Sequence, residues 1–255
     1  MSTLASVKLV LDLIARLRRD VTVTDLVREL AMQKSSASRT LSKMAEHGLL
    51  EREPTTRAYR PGAALVAASY HFRTSRTAMS LLDAALDDLV IATGYSCYLN
   101  LLDRHEALVI AMRTGGKGLQ LNWPIGTRSP AQLESTGRAM LARRTDEEVL
   151  EAIGESRDPK TGRRQRPHKN LLARLAAIRA AGWSLSRGEF VSGVAGIAAA
   201  VVDVPSRVIY GIGVAIPVQD LSEPLIDRCG QIVRDAACNV GRQIGDPYWL
   251  SAKSY

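Results

Sequence analysis

Apolar residues in the first thirty positions recur every three or four residues, as they do on the buried face of an amphipathic helix. A first helix is predicted from an N-cap at Ser6 to about Arg19. A short extended segment, VTVT, follows it. Thr24 is the predicted cap of a second helix over 25–31, with Asp25 in the first turn, where its charge suits the helix dipole.

A third helix is predicted between a turn at residues 32–34 and Gly48, which suits a left-handed C-cap. Ser35 is its predicted N-cap. Its apolar stripe consists of Ala37, Leu41, Met44 and Ala45. Two short strands, LLERE and AYRPG, follow and are joined by residues 54–57. This order of elements, with two helices, a turn, a third helix and a basic hairpin, is typical of a winged helix-turn-helix.

The rest of the third helix is rich in hydroxyls and cations, and residues 32–44 contain no acid. Small hydroxyl side chains allow close approach to a duplex, Arg39 can bind guanine in a bidentate way, and Lys34 and Lys43 can reach the backbone. The predicted DNA contacts are Lys34, Ser35, Ser36, Ser38, Arg39, Ser42, Lys43 and Arg57. The alternative is a solvated helix with a chance run of serines.

The pattern changes after Gly62, where an alanine-rich linker helix is predicted over 63–78. Tyr70, His71 and Phe72 on it are interpreted as packing at a subunit contact. After a further helix that ends at Gly94, six strands are predicted: YSCYLNLLD, EALVIAMR, GLQLNW, WSLSRGEF, GIAAAVVDV and VIYGIGVAIP. Four helices are predicted outside the sheet of this mixed α/β domain. They are ESTGRAMLA, DEEVLEAIG, NLLARLAAIRAAG and a C-terminal helix from about Leu221 to Ile244.

The composition indicates that the protein binds a polyanionic partner. The 255 residues are 46% hydrophobic, which is enough for a sizeable core, and the net charge is +8 with a pI near 9.7. Three cysteines without paired spacing fit a reducing cytosol, and neither a signal peptide nor a membrane span is predicted, so the expected location is cytoplasmic. The charged segment 155–170 is either a second nucleic-acid contact or a solvated loop.

Several chemistries are missing from the sequence. No dinucleotide fingerprint or P-loop is present, and the four histidines lack metal-ligand spacing, so no cofactor and no metal are predicted. The segment GEFVSG does not contain the nucleophile pattern G-x-S-x-G. No pairing of a nucleophile with a base is evident, and the chain is not expected to be an enzyme.

Several segments together resemble the isocitrate-lyase-regulator (IclR) family of bacterial transcription factors. They are QKSSASRTLSKMAEHGLLER near the amino end, and ESTGRAMLA, AAGWSLSRGEFVSGVAGIAAAVVD and VIYGIGVAIP in the second half. The resemblance covers about residues 5–245. It implies a winged helix-turn-helix over 1–62, a linker helix over 63–78, and a GAF-like effector-binding domain over 79–255 with a central, mainly antiparallel sheet.

The same resemblance implies a homodimer, or a dimer of dimers, that binds a double-stranded DNA operator and responds to a small organic effector, often a carboxylic acid. Carried over to this chain, the effector positions are Leu121, Gln132, Leu133, Glu134, Ser135, Gly137, Ser186, Glu189, Gly196 and Ile197. Trp123 and Arg128 flank the same loop. Trp123 is interpreted as a core or lid aromatic or as a stacking platform, and Arg128 as pairing with an acid ligand or neutralising Glu134.

Three positions depart from the family pattern. Glu134 stands in place of a small hydroxyl residue, Gly196 in place of a frequent cysteine, and Gln132 in place of a frequent histidine. Glu134 is expected to satisfy the N–H groups at the start of its helix with its own carboxylate and to oppose an acidic effector. The hypothesis is an effector that is neutral, cationic, or larger than a simple acid because Gly196 leaves room.

Two other functions remain open at this point. One is a small-molecule-processing enzyme that carries a winged-helix appendage, and turnover of a metabolite would reveal it. The other is a winged helix that binds protein instead of DNA. Salt dependence separates that case, because DNA affinity falls steeply as salt rises.

Overall fold

The protein is described from a computed structural model that defines residues 3–74, 77–117, 123–155 and 166–251. The chain divides into two compact units, Met1–Arg76 and Thr77–Tyr255. All three tryptophans, Trp123, Trp183 and Trp249, belong to the second unit. In the described ranges, no helix combines the length and the apolar character that crossing a membrane requires.

The first unit is a helical bundle followed by a two-stranded antiparallel hairpin. Its helices are α1 (Thr3–Leu17), α2 (Val23–Leu30), α3 (Lys34–Glu46) and α4 (Ala63–Thr74), and its strands are β1 (Leu50–Arg52) and β2 (Tyr59–Pro61). Val21 forms an isolated bridge to Tyr59, which ties the segment before α2 to the hairpin. The order of elements is that of the predicted winged helix-turn-helix.

Three predicted caps of these helices are wrong. Ser6 lies inside α1, which begins at Thr3. Thr22, not Thr24, caps α2, because Asp25 stands at the third helical position after Thr22 and completes a reciprocal capping box with it. Ser35 lies in the first turn of α3, whose N-cap is Gln33 without a side-chain hydrogen bond. Gly48 does adopt the predicted left-handed conformation, with a φ of +68°.

The core of the first unit is formed by one stripe from each of α1, α2 and α3 together with the hairpin. The buried side chains include Val10 and Leu13 of α1, Leu26 of α2, Ala37, Leu41 and Met44 of α3, Leu50 and Tyr59. Arg19 donates two hydrogen bonds, of 3.0 and 2.7 Å, to the carboxylate of Asp25. This pairing holds the pKa of Asp25 well below its usual range.

The second unit is built on one six-stranded antiparallel sheet in the order β5-β4-β3-β8-β7-β6. Its strands are β3 (Ser96–Asp103), β4 (Glu106–Arg113), β5 (Arg128–Pro130), β6 (Ser184–Arg187), β7 (Val194–Asp203) and β8 (Val208–Pro217). The predicted strand GLQLNW falls almost wholly outside the described residues. The three-residue β5 was not predicted and pairs with β4.

Helices cover both faces of this sheet. They are α5 (Thr77–Thr93), α6 (Ser135–Leu141), α7 (Asp146–Glu155), α8 (Leu171–Ala181), α9 (Glu223–Gln243) and α10 (Pro247–Ser251). The first face is covered by α5 and α9, and α9 buries Ile226, Cys229, Val233, Ala237 and Val240 at helical spacing. The second face packs against α6, α7 and α8. As predicted, the long C-terminal helix packs on the sheet.

A buried ion pair fixes the turn between α9 and α10. The Asp246 carboxylate is fully buried and lies 2.6 Å from the guanidinium of Arg143. The same carboxylate accepts the backbone N–H groups of Val202 and Tyr248. Beside it, the indole N–H of Trp249 donates to the Ala200 carbonyl at 2.9 Å. The turn into α10 is therefore connected to β7 and to the segment after α6.

Candidate functional site

The first candidate surface is the outer face of α3. Because Ala37, Leu41 and Met44 are buried, the residues between them point outward. Seven of the eight predicted DNA contacts are exposed and Ser42 is half-buried. The turn that sets α3 against α2 runs through Ala31 in the left-handed conformation and through Met32, which is buried.

The cations of α3 have no ion-pair partner within the described residues, whereas several arginines elsewhere in the first unit do. Arg16 pairs with Glu29, Arg19 with Asp25, and Arg60 with Glu51. Within the described ranges, no acidic side chain pairs with Lys34, Arg39 or Lys43. These cations can therefore meet phosphate without first breaking a salt bridge.

The tip of the hairpin adds one further cation. Arg57 is exposed and has a φ of +57°, and its N–H donates to the Glu53 carbonyl at 2.9 Å. This turn places Arg57 at the end of the β1–β2 hairpin, which is the wing of a winged helix-turn-helix.

The second candidate site is a small cavity in the second unit, between the sheet, the start of α6 and the β6–β7 loop. Its volume is about 40 Å³, well below the roughly 150 Å³ that holds benzene in an engineered protein core. It is lined by Tyr98, Asn100, Trp123, Glu134, Ser135, Thr136, Ser186, Phe190, Val191, Val194, Ala195, Gly196, Gly213, Val214 and Ala215. Small residues of β7 and β8 form its floor.

Glu134 is the acidic group of this cavity. It stands at the N-cap position of α6 and makes no capping hydrogen bond of standard geometry, although the nearby Gly137 N–H favours its ionised form, so the expected role of this carboxylate at the helix start is met only in part. Burial raises the pKa of its carboxyl to about 7, and the nearby hydroxyls of Ser129 and Thr136 oppose this shift without cancelling it. Glu134 is 7% exposed, and its Oε1 atom has no hydrogen-bond partner among the described residues.

Asn100 provides a second polar atom of the same kind. It lies on β3, is 2% exposed, and its Oδ1 atom also lacks a hydrogen-bond partner within the described chain. A β-bulge at Leu99/Asn100 shifts the register against β4, so Asn100 faces Val109 while Leu99 faces Ala111. The cavity wall therefore contains two buried oxygen acceptors.

An aromatic wall completes the cavity. The Trp123 ring lies between Tyr98 and Phe190, with centroid distances of 5.8 Å to each. Burial raises the pKa of Tyr98. Phe190 is 36% exposed, so this wall lies between the cavity and solvent.

Five of the predicted effector positions line this cavity: Trp123, Glu134, Ser135, Ser186 and Gly196. Two others are engaged elsewhere. Gln132 accepts the His168 N–H at 2.7 Å and donates to the Arg166 carbonyl, which ties down the segment before α8. Arg128 pairs with Asp103 at 2.7 Å and with Glu106 at 3.2 Å, and it does not neutralise Glu134.

Glu189 is neutralised by protein cations. It pairs with Arg138 and with Arg174, each at 2.8 Å. Burial tends to raise its pKa, but the hydrogen bond from Arg138 and the other cationic contacts outweigh burial and lower it. Arg138 is almost fully buried and also donates to the carbonyls of Gln132 and Leu185. Apart from an arginine within a helix, no sequence pattern indicated this network.

Of the remaining predicted positions, none within the described residues lines the cavity. A Cβ atom on Gly137 would approach the Ala131 carbonyl oxygen to 2.2 Å, so the glycine permits tight packing at the start of α6. Leu133 lies in the short turn before α6, and Ile197 is buried on the opposite face of the sheet. Leu121 lies outside the described residues.

Gly196 does not enlarge the cavity. A Cβ atom there would lie 2.3 Å from the Ser135 hydroxyl oxygen and 3.0 Å from that of Ser186. The space above the glycine is therefore filled by two serine side chains. The expectation that Gly196 leaves room for a larger effector is wrong.

Family models match both units of the chain. The IclR helix-turn-helix domain matches residues 9–54, and the C-terminal domain of the bacterial transcriptional regulator IclR matches residues 74–242. The chain belongs to the IclR family. Its winged helix-turn-helix and its antiparallel effector-domain sheet are the architecture of that family, and the chain is a transcriptional regulator rather than an enzyme.

Individual IclR-family proteins are similar over nearly the whole chain. The HTH-type transcriptional regulator BhcR of Paracoccus denitrificans is 26% identical over 229 residues, which cover 89% of this chain and 82% of BhcR. A crystal structure of an ICLR regulator from Silicibacter sp. TM1040 has a TM-score of 0.82 and 20% identity, covering 97% of this chain and 99% of that one. An IclR homologue from Microbacterium hydrocarbonoxydans, solved in complex with 4-hydroxybenzoate, has a TM-score of 0.73 and 22% identity, covering 96% and 99%.

Proposed function

We propose that this IclR-family chain binds an operator through α3 and the β1–β2 hairpin, and that a small organic effector in the cavity changes its operator affinity. The observation that carries the DNA-binding part is the division of α3 into a buried apolar stripe and an exposed face with unpaired cations within the described chain. A helix of this kind enters the major groove with base-contacting side chains near its N-terminal half.

The residues of α3 have different roles in this proposal. Arg39 reads a guanine edge through two hydrogen bonds, while Lys34 and Lys43 contact phosphates. Ser35, Ser36 and Ser38 allow the helix backbone to come close to the duplex. Arg57 contacts backbone phosphate from the hairpin tip.

Arg39→Ala is expected to reduce affinity for the specific operator by about 5- to 150-fold, the equivalent of about 1–3 kcal/mol, and to reduce affinity for scrambled DNA much less. Lys43→Ala is expected to weaken binding to both duplexes by similar factors, because phosphate contacts are independent of sequence. Electrophoretic mobility-shift titrations on the two duplexes at several salt concentrations measure both effects.

Arg228→Ala is the matched control, because it removes one exposed positive charge from the second unit, on α9. It is expected to leave operator affinity within twofold of wild type. Equal losses on specific and scrambled DNA for Arg39→Ala would contradict base reading by Arg39. Binding that does not weaken with salt would contradict the DNA-binding proposal as a whole.

The proposed active form is a homodimer or a dimer of dimers, because two recognition helices set the spacing of operator half-sites. Support comes from α4, a 12-residue helix in which Val66 and Tyr70 are 65% and 69% exposed on one face. A helix without a buried face is marginal in water, so a second copy is the proposed cover.

Val66→Glu is expected to shift the oligomer toward monomer in light scattering, whereas Ala68→Glu on the opposite face is not. An unchanged mass for Val66→Glu would contradict this contact.

For the effector, support comes from the cavity and from the similar homologue that holds 4-hydroxybenzoate. Coupling between effector and operator is expected to lie in the range of about 1–3 kcal/mol, which is typical of allosteric proteins.

A further inference from the structure

Two of the residues that line the cavity each carry one hydrogen-bond acceptor atom that lacks a donor within the described residues. Glu134 and Asn100 both line it and are both more than nine-tenths buried, and Oε1 of Glu134 and Oδ1 of Asn100 have no hydrogen-bond partner in the described part of the chain. Buried acceptors left without donors are uncommon, since each loses its hydration without compensation. A ligand that supplies N–H groups would satisfy both atoms.

The charges around the cavity favour the same kind of ligand. Arg138 is engaged by Glu189 and by two backbone carbonyls, and Arg128 by Asp103 and Glu106. No cationic side chain lines the cavity within the described residues. A carboxylate ligand would place a second negative charge beside Glu134 in a poorly solvated space, which is unfavourable. An organic cation would instead neutralise Glu134.

The aromatic wall adds a third favourable contact. The rings of Tyr98, Trp123 and Phe190 form one continuous group at the cavity. Aromatic ring faces attract ammonium groups, and the attraction strengthens when water is excluded. The apolar part of a ligand can pack on the same rings.

We propose that the cavity binds a small organic ammonium ion, whose N–H groups donate to Oε1 of Glu134 and Oδ1 of Asn100 and whose apolar part packs on the aromatic wall. The proposal rests on the proposed function only in placing the effector in this cavity. It names a ligand class opposite in charge to 4-hydroxybenzoate, the ligand of the similar homologue.

Cavity size bounds the ligand. A volume of about 40 Å³ is roughly a quarter of the roughly 150 Å³ that holds benzene, so the cavity takes an ammonium group but little of its carbon chain. A ring-bearing ligand needs the exposed side of the aromatic wall, at Phe190 and Trp123, to move outward. Short amines are therefore expected to bind with smaller structural change than benzylic ones.

Two matched sets of compounds test the charge preference by isothermal titration calorimetry on the full chain at pH 8. The sets are propylamine, propionamide and propionate, and 4-hydroxybenzylamine, 4-hydroxybenzamide and 4-hydroxybenzoate. In at least one set the amine is expected to bind at least tenfold more tightly than its amide and its acid. Tighter binding of an acid or an amide in both sets, or no binding by either amine, would overturn the proposal.

Variants assign the contact to Glu134. Glu134→Gln is expected to weaken amine binding by about 10- to 100-fold, because a charge-assisted hydrogen bond is replaced by a neutral one. Asn100→Leu is expected to weaken it by about 3- to 10-fold. Glu147→Gln, which removes an exposed carboxylate on α7, is expected to change it less than twofold. Equal amine affinity in wild type and Glu134→Gln would overturn the assignment.

A pH profile distinguishes ionic binding from a change in cavity shape. The charged or titratable groups around Glu134 and the cavity are Arg138, Tyr98, and Glu189 with its partner Arg174. Tyr98 has a raised pKa and Glu189 a lowered one, so neither changes charge between pH 6 and 8. With a Glu134 pKa of about 7, amine affinity is expected to fall about tenfold from pH 8 to pH 6, and this dependence disappears in Glu134→Gln. A flat wild-type profile would count against an ionised Glu134 as the ligand contact.

Operator binding without any added compound separates the two proposals. Wild type and Glu147→Gln, whose substituted carboxylate is exposed on α7, are expected to bind operator equally in mobility-shift titrations. If operator binding holds and the amines fail, the ligand class is wrong and the regulator proposal stands. If the amines bind and operator binding fails, the cavity assignment stands and the DNA-binding proposal is wrong.

Discussion

At pH 8, Glu134→Gln is expected to raise the free energy of unfolding of the second unit by about 2–3 kcal/mol. Burial raises the Glu134 pKa from 4.5 to about 7, and a difference of this size corresponds to roughly 3 kcal/mol between the ionised and protonated forms. Glutamine has nearly the same shape and no charge to desolvate. Its amide is still buried, so the gain remains somewhat below the full value.

The sign of the pH dependence follows from these two pKa values. Below about pH 4.5 the carboxyl is protonated in both folded and unfolded chains, so the substitution changes the free energy of unfolding little. Between pH 4.5 and about 7 the unfolded chain ionises and the folded chain does not, and wild-type stability falls as pH rises. Above pH 7 the full destabilisation is present. Differential scanning calorimetry of both proteins at pH 4.5 and pH 8 measures this divergence.

Glu147→Gln is the control for the loss of one negative charge. Because Glu147 is exposed on α7, its variant is expected to differ from wild type by less than about 0.5 kcal/mol at both pH values. A Glu134→Gln variant that is less stable than wild type at pH 8 would contradict this account. It would mean that the carboxylate is stabilised by the folded structure.

The largest loss of stability is expected for Asp246→Ala, about 3–5 kcal/mol. This substitution leaves the mostly buried Arg143 guanidinium without its carboxylate and removes the acceptor of the Val202 and Tyr248 N–H groups. Asp246→Asn keeps an acceptor for backbone N–H groups but not the charge, so its loss is expected to be smaller. Chemical denaturation monitored by far-ultraviolet circular dichroism measures both.

A double-mutant cycle tests whether the loss belongs to the ion pair. Arg143→Met with Asp246→Ala is expected to recover part of the loss, because no uncompensated charge remains buried. Strict additivity of the two single losses would show that Asp246 acts through its backbone contacts alone.

Much of the fold follows from periodicity. The apolar stripe of α3, the hairpin of β3 and β4, and the spacing along α9 each depend on local sequence, and the structure agrees with them. The helix caps were less predictable. Thr22 and Thr24 are both suitable residues, and only the reciprocal hydrogen bond with Asp25 decides between them.

The face of β4 illustrates what strand alternation alone does not determine. Ala107, Val109 and Ala111 alternate and would share one face of a regular strand. The bulge opposite Leu99/Asn100 breaks this alternation, so Val109 packs with Tyr98 at the cavity while Ala111 joins the core on the other face. A bulge depends on pairing between strands, which periodicity within one strand does not report.

At the cavity, the sequence placed Glu134, Ser135, Ser186 and Gly196 together only through a family resemblance, and Tyr98 and Asn100 were missed. Tyr98 and Asn100 are two positions apart on β3, so they share one face of the strand, and each lies opposite a glycine of β8, Gly213 or Gly211. This pattern could have been used to predict them. The ion pairs of Glu189 with Arg138 and Arg174 could not be predicted from the sequence, because the three residues come from separate segments.

The placement of all three tryptophans in the second unit has a practical consequence. Fluorescence excited at the red edge of the protein absorption spectrum comes from tryptophan. The first unit, which contains α3, has no tryptophan and contributes nothing to this fluorescence. A change in that emission when unlabelled operator is added would therefore be an optical record of communication from one unit to the other.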